Sequence, residues 1–308
     1  MIYTVTLNPA LDRYLAVESL LKEDTTRVAS ETVYAAGKGI DVSRVIRHLG
    51  GQSVAMGFLG GYEGLKLEGL LINAGVMTSF TRISGETRTN IILKETASGR
   101  QFVIAAAGPE VSATAIGQIY QNVLEIQGMT HLVMSGSLPR GVTPNLYGQL
   151  ILAGKRKGAF VVLDTDGRAL KESIEFQPDC IKPNIFELSR LVGRSLSGEA
   201  EILTACRELH EKGVSHVLVS RGKDGLILAT REQRLKAVAP PVEADSTVGA
   251  GDSAVAGFVL ALSQGKELAD CLRLACAAGT ATARTPGTEL CSGEQVQEIL
   301  PLIEVSRL

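Results

Sequence analysis

The sequence predicts an α/β protein: a mostly parallel sheet flanked by helices on both faces, with a small second β-sheet projecting from it. Three observations lead there. Short apolar runs alternate with amphipathic stretches along most of the chain, the pattern of parallel strands joined by crossover helices. Two stretches, about 12–35 and 86–107, break that alternation and look extended. No repeat, low-complexity tract or linker separates independent units, so the 308 residues are expected to form one domain carrying two insertions.

In chain order, Thr4–Leu7 is the first expected strand of the main sheet. Residues Arg13–Tyr34 lack a helical stripe and read as extended, after which Ile40–Leu49 is amphipathic and Ser53–Phe58 is a second strand. Arg88–Lys94 and Arg100–Ala106 flank Thr96-Ala-Ser-Gly99, a turn composition too early for a crossover helix, so they are expected to form a hairpin of the small sheet. His131–Ser135, Phe160–Asp164, Cys180–Lys182 and Val217–Ser220 continue the main sheet, with Pro144–Lys157 and Glu199–Lys212 as helices between them. From Ser253 to Leu262 there is no charge, so this segment reads as a buried helix whose first turn lies at Gly249-Ala-Gly-Asp252.

Hydrophobic residues make up 45% of the chain and charged residues 21%, which suits a globular protein with a full core. A net charge of −2 gives no electrostatic footprint for nucleic acid or an anionic membrane. Only 4% of residues are aromatic and Trp is absent, against a base-stacking surface. The uncharged run is too short for a membrane span of about 20 residues, and the opening Met-Ile-Tyr-Thr-Val-Thr-Leu is strand-like rather than a secretory signal. A cytoplasmic location is therefore expected. Five cysteines without C-x-x-C spacing predict neither a disulfide framework nor a zinc site. The four histidines fall outside every motif and are expected at the surface or at helix ends.

Five local patterns could carry chemistry. Around Gly249-Ala-Gly-Asp252, glycines let a ligand approach the backbone and the free amides of a helix start attract an anion. A carboxylate there is expected to be held ionised by the helix dipole and could take a hydroxyl proton during phosphoryl transfer; equally, Asp252 could simply cap a buried helix. Gly37-Lys38-Gly39 precedes a helix without the Ser or Thr of a Walker loop, so Lys38 reads either as an anion contact or as an exposed turn residue. In Lys182-Pro-Asn184-Ile-Phe-Glu187, Asn184 and Glu187 share a helix face and could orient hydrated Mg2+, or could belong to an ordinary capped helix. Asp12 follows the first strand, where α/β proteins bind ligands. Arg88 and Asn90, two apart on one strand, share a face, and Arg27 could join them from the other insertion to bind a phosphate; a solvated β edge is the plainer alternative.

The order of these patterns resembles the PfkB-type sugar kinases of the ribokinase-like superfamily. N-P-x-x-D at 8–12, G-K-G at 37–39, S-G-S-L-P at 135–139, K-P-N-x-x-E at 182–187, S-x-G at 220–222 and S-T-V-G-A-G-D-S at 246–253 follow one another along nearly the whole chain. Within that family the motifs are similar to the phosphofructokinase and tagatose-phosphate kinase branch. The resemblance implies a ribokinase-like sheet with a β lid, a homodimer formed through that lid, ATP and Mg2+ as cofactors, and K+ as a candidate activator. It further implies that Asp252 is the general base, with the amides of Gly249, Ala250 and Gly251 as the anion hole. Lys182, Asn184 and Glu187 would sit near the ATP phosphates and Mg2+, the metal being held through water. Ser220, Gly222, Gly225 and Thr247 would line the nucleotide, together with Gly249 and Gly251. Asp12, Gly37, Lys38, Gly39, Asp41, Asn90 and Ser137 would contact the sugar phosphate, and Arg27 and Arg88 would clamp its phosphate.

Two positions depart from the family pattern. Relatives commonly carry Asn where this chain has Asp41; an ionised Asp only accepts hydrogen bonds and repels a nearby phosphate. Arg221 stands where relatives often have an apolar residue, and reads as a phosphate contact or a solvated side chain. The resemblance thus implies ATP-dependent phosphorylation of a ketohexose monophosphate, with fructose 1-phosphate first, then fructose 6-phosphate and tagatose 6-phosphate. A sugar-phosphate sensor without catalysis and an NAD-dependent oxidoreductase are the readings from other classes. The first must explain intact Asp252, Lys182 and Glu187, and the second lacks G-x-G-x-x-G after a strand.

Overall fold

The computed structural model describes residues 1–308. Ten strands form the main sheet. Seven of them are parallel: β1 (Ile2–Thr6), β4 (Ser53–Leu59), β5 (Met77–Arg82), β8 (His131–Ser135), β9 (Phe160–Asp164), β10 (Cys180–Ile181) and β11 (His216–Ser220). Three antiparallel strands extend its edge: β12 (Leu226–Ala229), β13 (Arg234–Val238) and β14 (Glu304–Arg307). Across the sheet the order is β14-β13-β12-β11-β10-β9-β8-β1-β4-β5. The central strands are apolar without alternation because helices cover both faces. Leu132, Met134, Val161 and Leu163 enter one core, while Val133 and Val162 enter the other.

The first core packs under α3 (Ala113–Glu125), α4 (Asn145–Arg156), α5 (Gly167–Ser173), α6 (Ile185–Val192) and α7 (Glu199–Glu211). The second packs under α1 (Lys38–His48), α8 (Ala250–Ser263), α9 (Leu268–Ala283) and α10 (Gly293–Ile299). Helix α8 lies between α1 and α9 and is buried from Asp252 to Ala261. A helix that meets protein on every side can carry no charged face, which is why its sequence reads as uninterrupted apolar residues.

A second sheet has the order β3-β2-β6-β7, built from β2 (Ala10–Val17), β3 (Val28–Ala36), β6 (Arg88–Glu95) and β7 (Gln101–Ile104). Its two hairpins are antiparallel, but β2 and β6 pair in parallel. That pairing requires the chain to pass through β3, α1, β4, α2 (Gly61–Asn73) and β5 before returning. His48 and His210 lie at helix ends as expected, but the other two histidines differ. His131 and His216 begin β8 and β11 and flank the Phe160 ring, with ring centroids 6.0 and 5.1 Å apart, so they pack inward rather than sit at the surface.

Candidate active site

The C-terminal ends of β1, β8, β9, β10 and β11 form one edge of the sheet, the place where open α/β sheets bind ligands. Parallel register sets Leu163 beside Ile181, so the next residues, Asp164 and Lys182, emerge side by side. Lys182 Nζ lies 3.5 Å from Asp164 Oδ1, and Lys38 Nζ, arriving from the start of α1, donates to the same oxygen at 3.1 Å. Asp164 is fully buried and its Oδ2 has no partner. Burial alone would raise this carboxyl, yet the two ammonium groups hold it below its ordinary value. Burial opposes the charge on Lys38 in turn, but Asp164, Asp252 and Glu187 outweigh that and raise its pKa. Asp164 was missed in the motifs. Its signal was present, because it ends a central parallel strand just as Asp12 follows the first.

Helix α8 opens opposite these charges. Gly249 adopts φ 78° at the helix start, a left-handed conformation that glycine takes without strain, and no side chain caps the first turn. The amides of Gly249, Gly251 and Asp252 have no backbone acceptor, whereas that of Ala250 leans toward Thr247 O at 3.4 Å. The free donors are therefore Gly249, Gly251 and Asp252, and Ala250 is not among them as expected. A Cβ on Gly251 would come 3.2 Å from Lys182 Nζ, so the glycine keeps the amides and the ammonium open to one anion. Asp252 is buried beside them, and the expectation that the helix dipole keeps it ionised needs correction. Desolvation raises its pKa to about 7; Lys38 and Lys182 oppose that rise, while Asp164 and Glu187 add to it.

Asn184 and Glu187 form a reciprocal capping box. Asn184 Oδ1 accepts from the Glu187 amide at 2.9 Å, and Glu187 Oε2 accepts from the Asn184 amide at 2.8 Å. The carbonyl oxygen of Asn184 is thus engaged by its own helix rather than free for a metal, a correction to the two-ligand expectation. Glu187 Oε1 and the unpartnered Asp164 Oδ2 remain as oxygen acceptors. No cluster of three or more His, Cys, Asp or Glu side chains forms a cage for a metal. That donor set suits Mg2+, which keeps water and nucleotide oxygens as most of its ligands.

On the opposite side, the register of β2 and β6 sets Asp12 beside Asn90, and Asn90 Nδ2 donates to Asp12 Oδ1 at 2.8 Å. Burial raises the Asp12 carboxyl despite that bond. Arg88 is largely engaged: its guanidinium donates to Asn8 O at 2.8 and 3.2 Å and to Ala106 O at 2.7 Å, fastening the small sheet to the chain after β1. Arg27 is not brought to the site. It precedes Val28, which lies opposite Val17 on β2, and Val17 is roughly 17 Å along the strand from Asp12 at about 3.3 Å per residue. Ser137 accepts from Asn8 Nδ2 at 3.1 Å. Gly37 and Gly39 lie against Thr6 and Val5 at the end of β1.

Asp41, in the first turn of α1, pairs with Arg44 at 3.2 Å, and Arg44 also donates to Ala35 O at 3.0 Å. Burial raises the Asp41 carboxyl well above the usual range; Arg44 counters this, while the charges of Asp252 and Asp12 add to it. Three carboxyl groups therefore converge on the space between the small sheet and α8. Toward β12, Ser220 bridges to Asn184, and Gly222 and Gly225 form the turn that leaves β11. Gly225 abuts Ala237 O of β13, a structural contact. Arg221 is neither solvated nor aimed at a phosphate, because it donates to Glu199 Oε1 at 2.9 Å.

An open parallel sheet, unpaired helix-start amides, two ammonium groups and a buried carboxyl near neutrality define a phosphotransferase of the α/β class. The pattern of the pfkB family carbohydrate kinases matches residues 6–295, and this chain belongs to that family. It is 36% identical to the 1-phosphofructokinase of Bacillus subtilis over 308 residues, covering 100% of both chains. It is 35% identical to the ATP-dependent 6-phosphofructokinase isozyme 2 of Escherichia coli, covering 97% of both. The phosphofructokinase-2 of Escherichia coli, solved in complex with potassium, superposes with a TM-score of 0.93 at 35% identity, over 97% of this chain and 98% of that one. The ribokinase of Arabidopsis thaliana superposes with a TM-score of 0.77, consistent with a ribokinase-like fold.

Proposed function

We propose that this protein transfers the γ-phosphoryl group of ATP to the free primary hydroxyl of a ketohexose monophosphate, giving a bisphosphate and ADP, with fructose 1-phosphate as its first substrate. One observation supports this most: Asp252, with its carboxyl raised to about 7, shares the first turn of α8 with the unpaired amides and feels the charge of two ammonium groups. A base poised near pH 7 accepts the hydroxyl proton as the oxygen attacks. The amides of Gly249, Gly251 and Asp252, with Lys182 and Lys38, stabilise the charge on the transferring group. Lys38 thus serves the transferred phosphoryl group rather than the sugar's existing phosphate, because Asp164 holds its ammonium on that side. Glu187 and Asp164 hold hydrated Mg2+, which neutralises the nucleotide phosphates when bound. Asp12, fixed by Asn90, and Asp41, fixed by Arg44, accept hydrogen bonds from sugar hydroxyls, with Gly39 and Ser137 alongside. The S-R-G turn at 220–222, Thr247 and the loop before α8 receive the nucleotide.

The small sheet, formed by insertions into one kinase domain that spans the chain, covers the sugar as a lid. No helix is long and apolar enough to cross a membrane, and a cytoplasmic enzyme fits this reading. Potassium as an activator fits the solved potassium complex of the Escherichia coli relative. Fructose 6-phosphate is the second substrate reading, favoured by the 6-phosphofructokinase relatives, and a D-tagatose-1-phosphate kinase of Bacillus licheniformis, 34% identical, keeps tagatose phosphates in view.

A coupled ADP-release assay over fructose 1-phosphate, fructose 6-phosphate and the tagatose phosphates separates these substrates. Fructose 1-phosphate should give the largest kcat/KM. Asp252→Asn should lower kcat about 10³-fold while leaving binding of an ATP analogue within a fewfold. Absence of turnover on every ketohexose phosphate overturns the reading.

A further inference from the structure

Tyr14 is used by nothing described so far, yet it occupies a junction. It lies on β2 two residues after Asp12, so both side chains project from the same face of the small sheet. Its ring rests on Gly287, where a Cβ would fall 2.7 Å from Tyr14 Cε2; Gly287 also has φ 61° and so suits glycine twice over. The segment carrying Gly287 then touches the start of α8 in two places. Gly287 O accepts from Ser246 Oγ at 2.5 Å, and Ser246 Oγ accepts from the Val248 amide at 3.3 Å. The side chain of Leu290 packs on Gly249, 2.6 Å from where a Cβ would stand. Beside this path, Lys94 of β6 reaches Asp245 at 3.9 Å. A central strand of the small sheet thus carries Asp12 at one point and, two residues on, presses against the segment that shapes the unpaired amides.

We propose that Tyr14 is a positioning residue that couples the two substrate sites: sugar phosphate bound at Asp12 holds Tyr14 in its contact with Gly287, and the 286–290 segment then holds Gly249 and its neighbours in the arrangement that receives the nucleotide. The proposal rests on the functional reading above. Its physical content is a coupling free energy, so it is reciprocal: each ligand tightens the other by the same factor. β2 is hydrogen-bonded on both sides, to β3 and β6, so a shift at Asp12 moves Tyr14 with it rather than being absorbed between them. The aromatic ring transmits the contact, because Gly287 offers only backbone for it to press on.

Affinity for a non-hydrolysable ATP analogue with Mg2+ is measured by calorimetry, with and without saturating fructose 1-phosphate, in the wild type, Tyr14→Ala and Tyr14→Phe. Wild type should bind the analogue about tenfold more tightly when the sugar phosphate is present, within the usual range of such couplings. In Tyr14→Ala the factor should fall below about twofold, while each ligand alone binds within about threefold of wild type. Tyr14→Phe keeps the ring and should restore the coupling, which separates this role from a loss of folding. Full coupling in Tyr14→Ala, or none in a wild type that turns over sugar phosphate, overturns the proposal alone. If no ketohexose phosphate binds the wild type, the functional reading fails and this proposal fails with it.

Discussion

Asp252 owes its strength as a base to a conflict between burial and charge. Left to the helix dipole it would remain ionised throughout the physiological range. Burial behind α8 and the nearby carboxyl groups of Asp164 and Glu187 lift it to about 7, against the pull of Lys38 and Lys182. In the proposed reaction the ionised form is the active one. kcat/KM should therefore fall about tenfold per pH unit below pH 7 and level off above it. A pH-rate profile checks this, and an acid limb centred near pH 4 would sink the assignment. The sequence showed where Asp252 sits but not which effect wins, because desolvation depends on what packs behind the helix. Asp164 was missed for a related reason: a carboxyl ending an apolar strand draws notice only once two lysines are seen to converge on it. Arg88 failed as a free clamp because nothing in the chain announces that the carbonyls of Asn8 and Ala106 will occupy its guanidinium.

Among the elements, the small sheet shows most clearly what local composition can and cannot reveal. Its second hairpin was legible from a Thr-Ala-Ser-Gly turn, and the extended course of the first insertion from the lack of a helical stripe. The parallel pairing of β2 with β6 was not, since it joins segments with three other strands between them. The strands β12 to β14 escaped notice because each has only four or five residues and pairs antiparallel, outside the alternation of parallel strands and helices. The far end of the small sheet is tied by Glu95, which accepts from the Leu20 amide at 2.9 Å, from Ser98 and from Arg100. The Leu20 amide, then Ser98 and Arg100, depress its carboxyl from 4.5 to about 2. A group depressed on folding stabilises the fold above its unfolded value and loses that contribution as pH falls through its folded one. The tie should thus be intact above about pH 4.5 and weaken progressively toward pH 2. Amide exchange of residues 18–27 and 96–100 should accelerate across that window beyond its intrinsic change. Glu95→Gln should show the faster exchange already at pH 7. Unchanged protection in that variant would refute the tie.

For the whole molecule, the sheet that holds Asp12 is incompletely covered. Its outer strands leave Val28, Val103 and Ile104 exposed, the last two by 57% and 61%. Apolar edge strands in this state invite pairing with another chain, and a second copy is the proposed partner. The same geometry bears on Arg27, which lies too far along the sheet to reach its own Asp12 yet directly precedes β3, one of the two exposed outer strands. A homodimer built through these sheets would supply Arg27 across the interface to the neighbouring sugar phosphate, an expectation that two variants test. A charge-assisted hydrogen bond of that kind contributes about 1.5–3 kcal/mol, so its loss should raise KM roughly 10- to 100-fold. The double variant Val103→Glu, Ile104→Glu should sediment as a monomer, bind an ATP analogue nearly as wild type, and show that rise in KM for sugar phosphate. Arg27→Ala should reproduce the KM change while remaining a dimer, because it removes the contact and leaves the apolar strands intact. If the wild type sediments as a monomer, or the monomeric variant keeps its KM, the sheets serve only to cover the sugar and Arg27 plays no part in holding it.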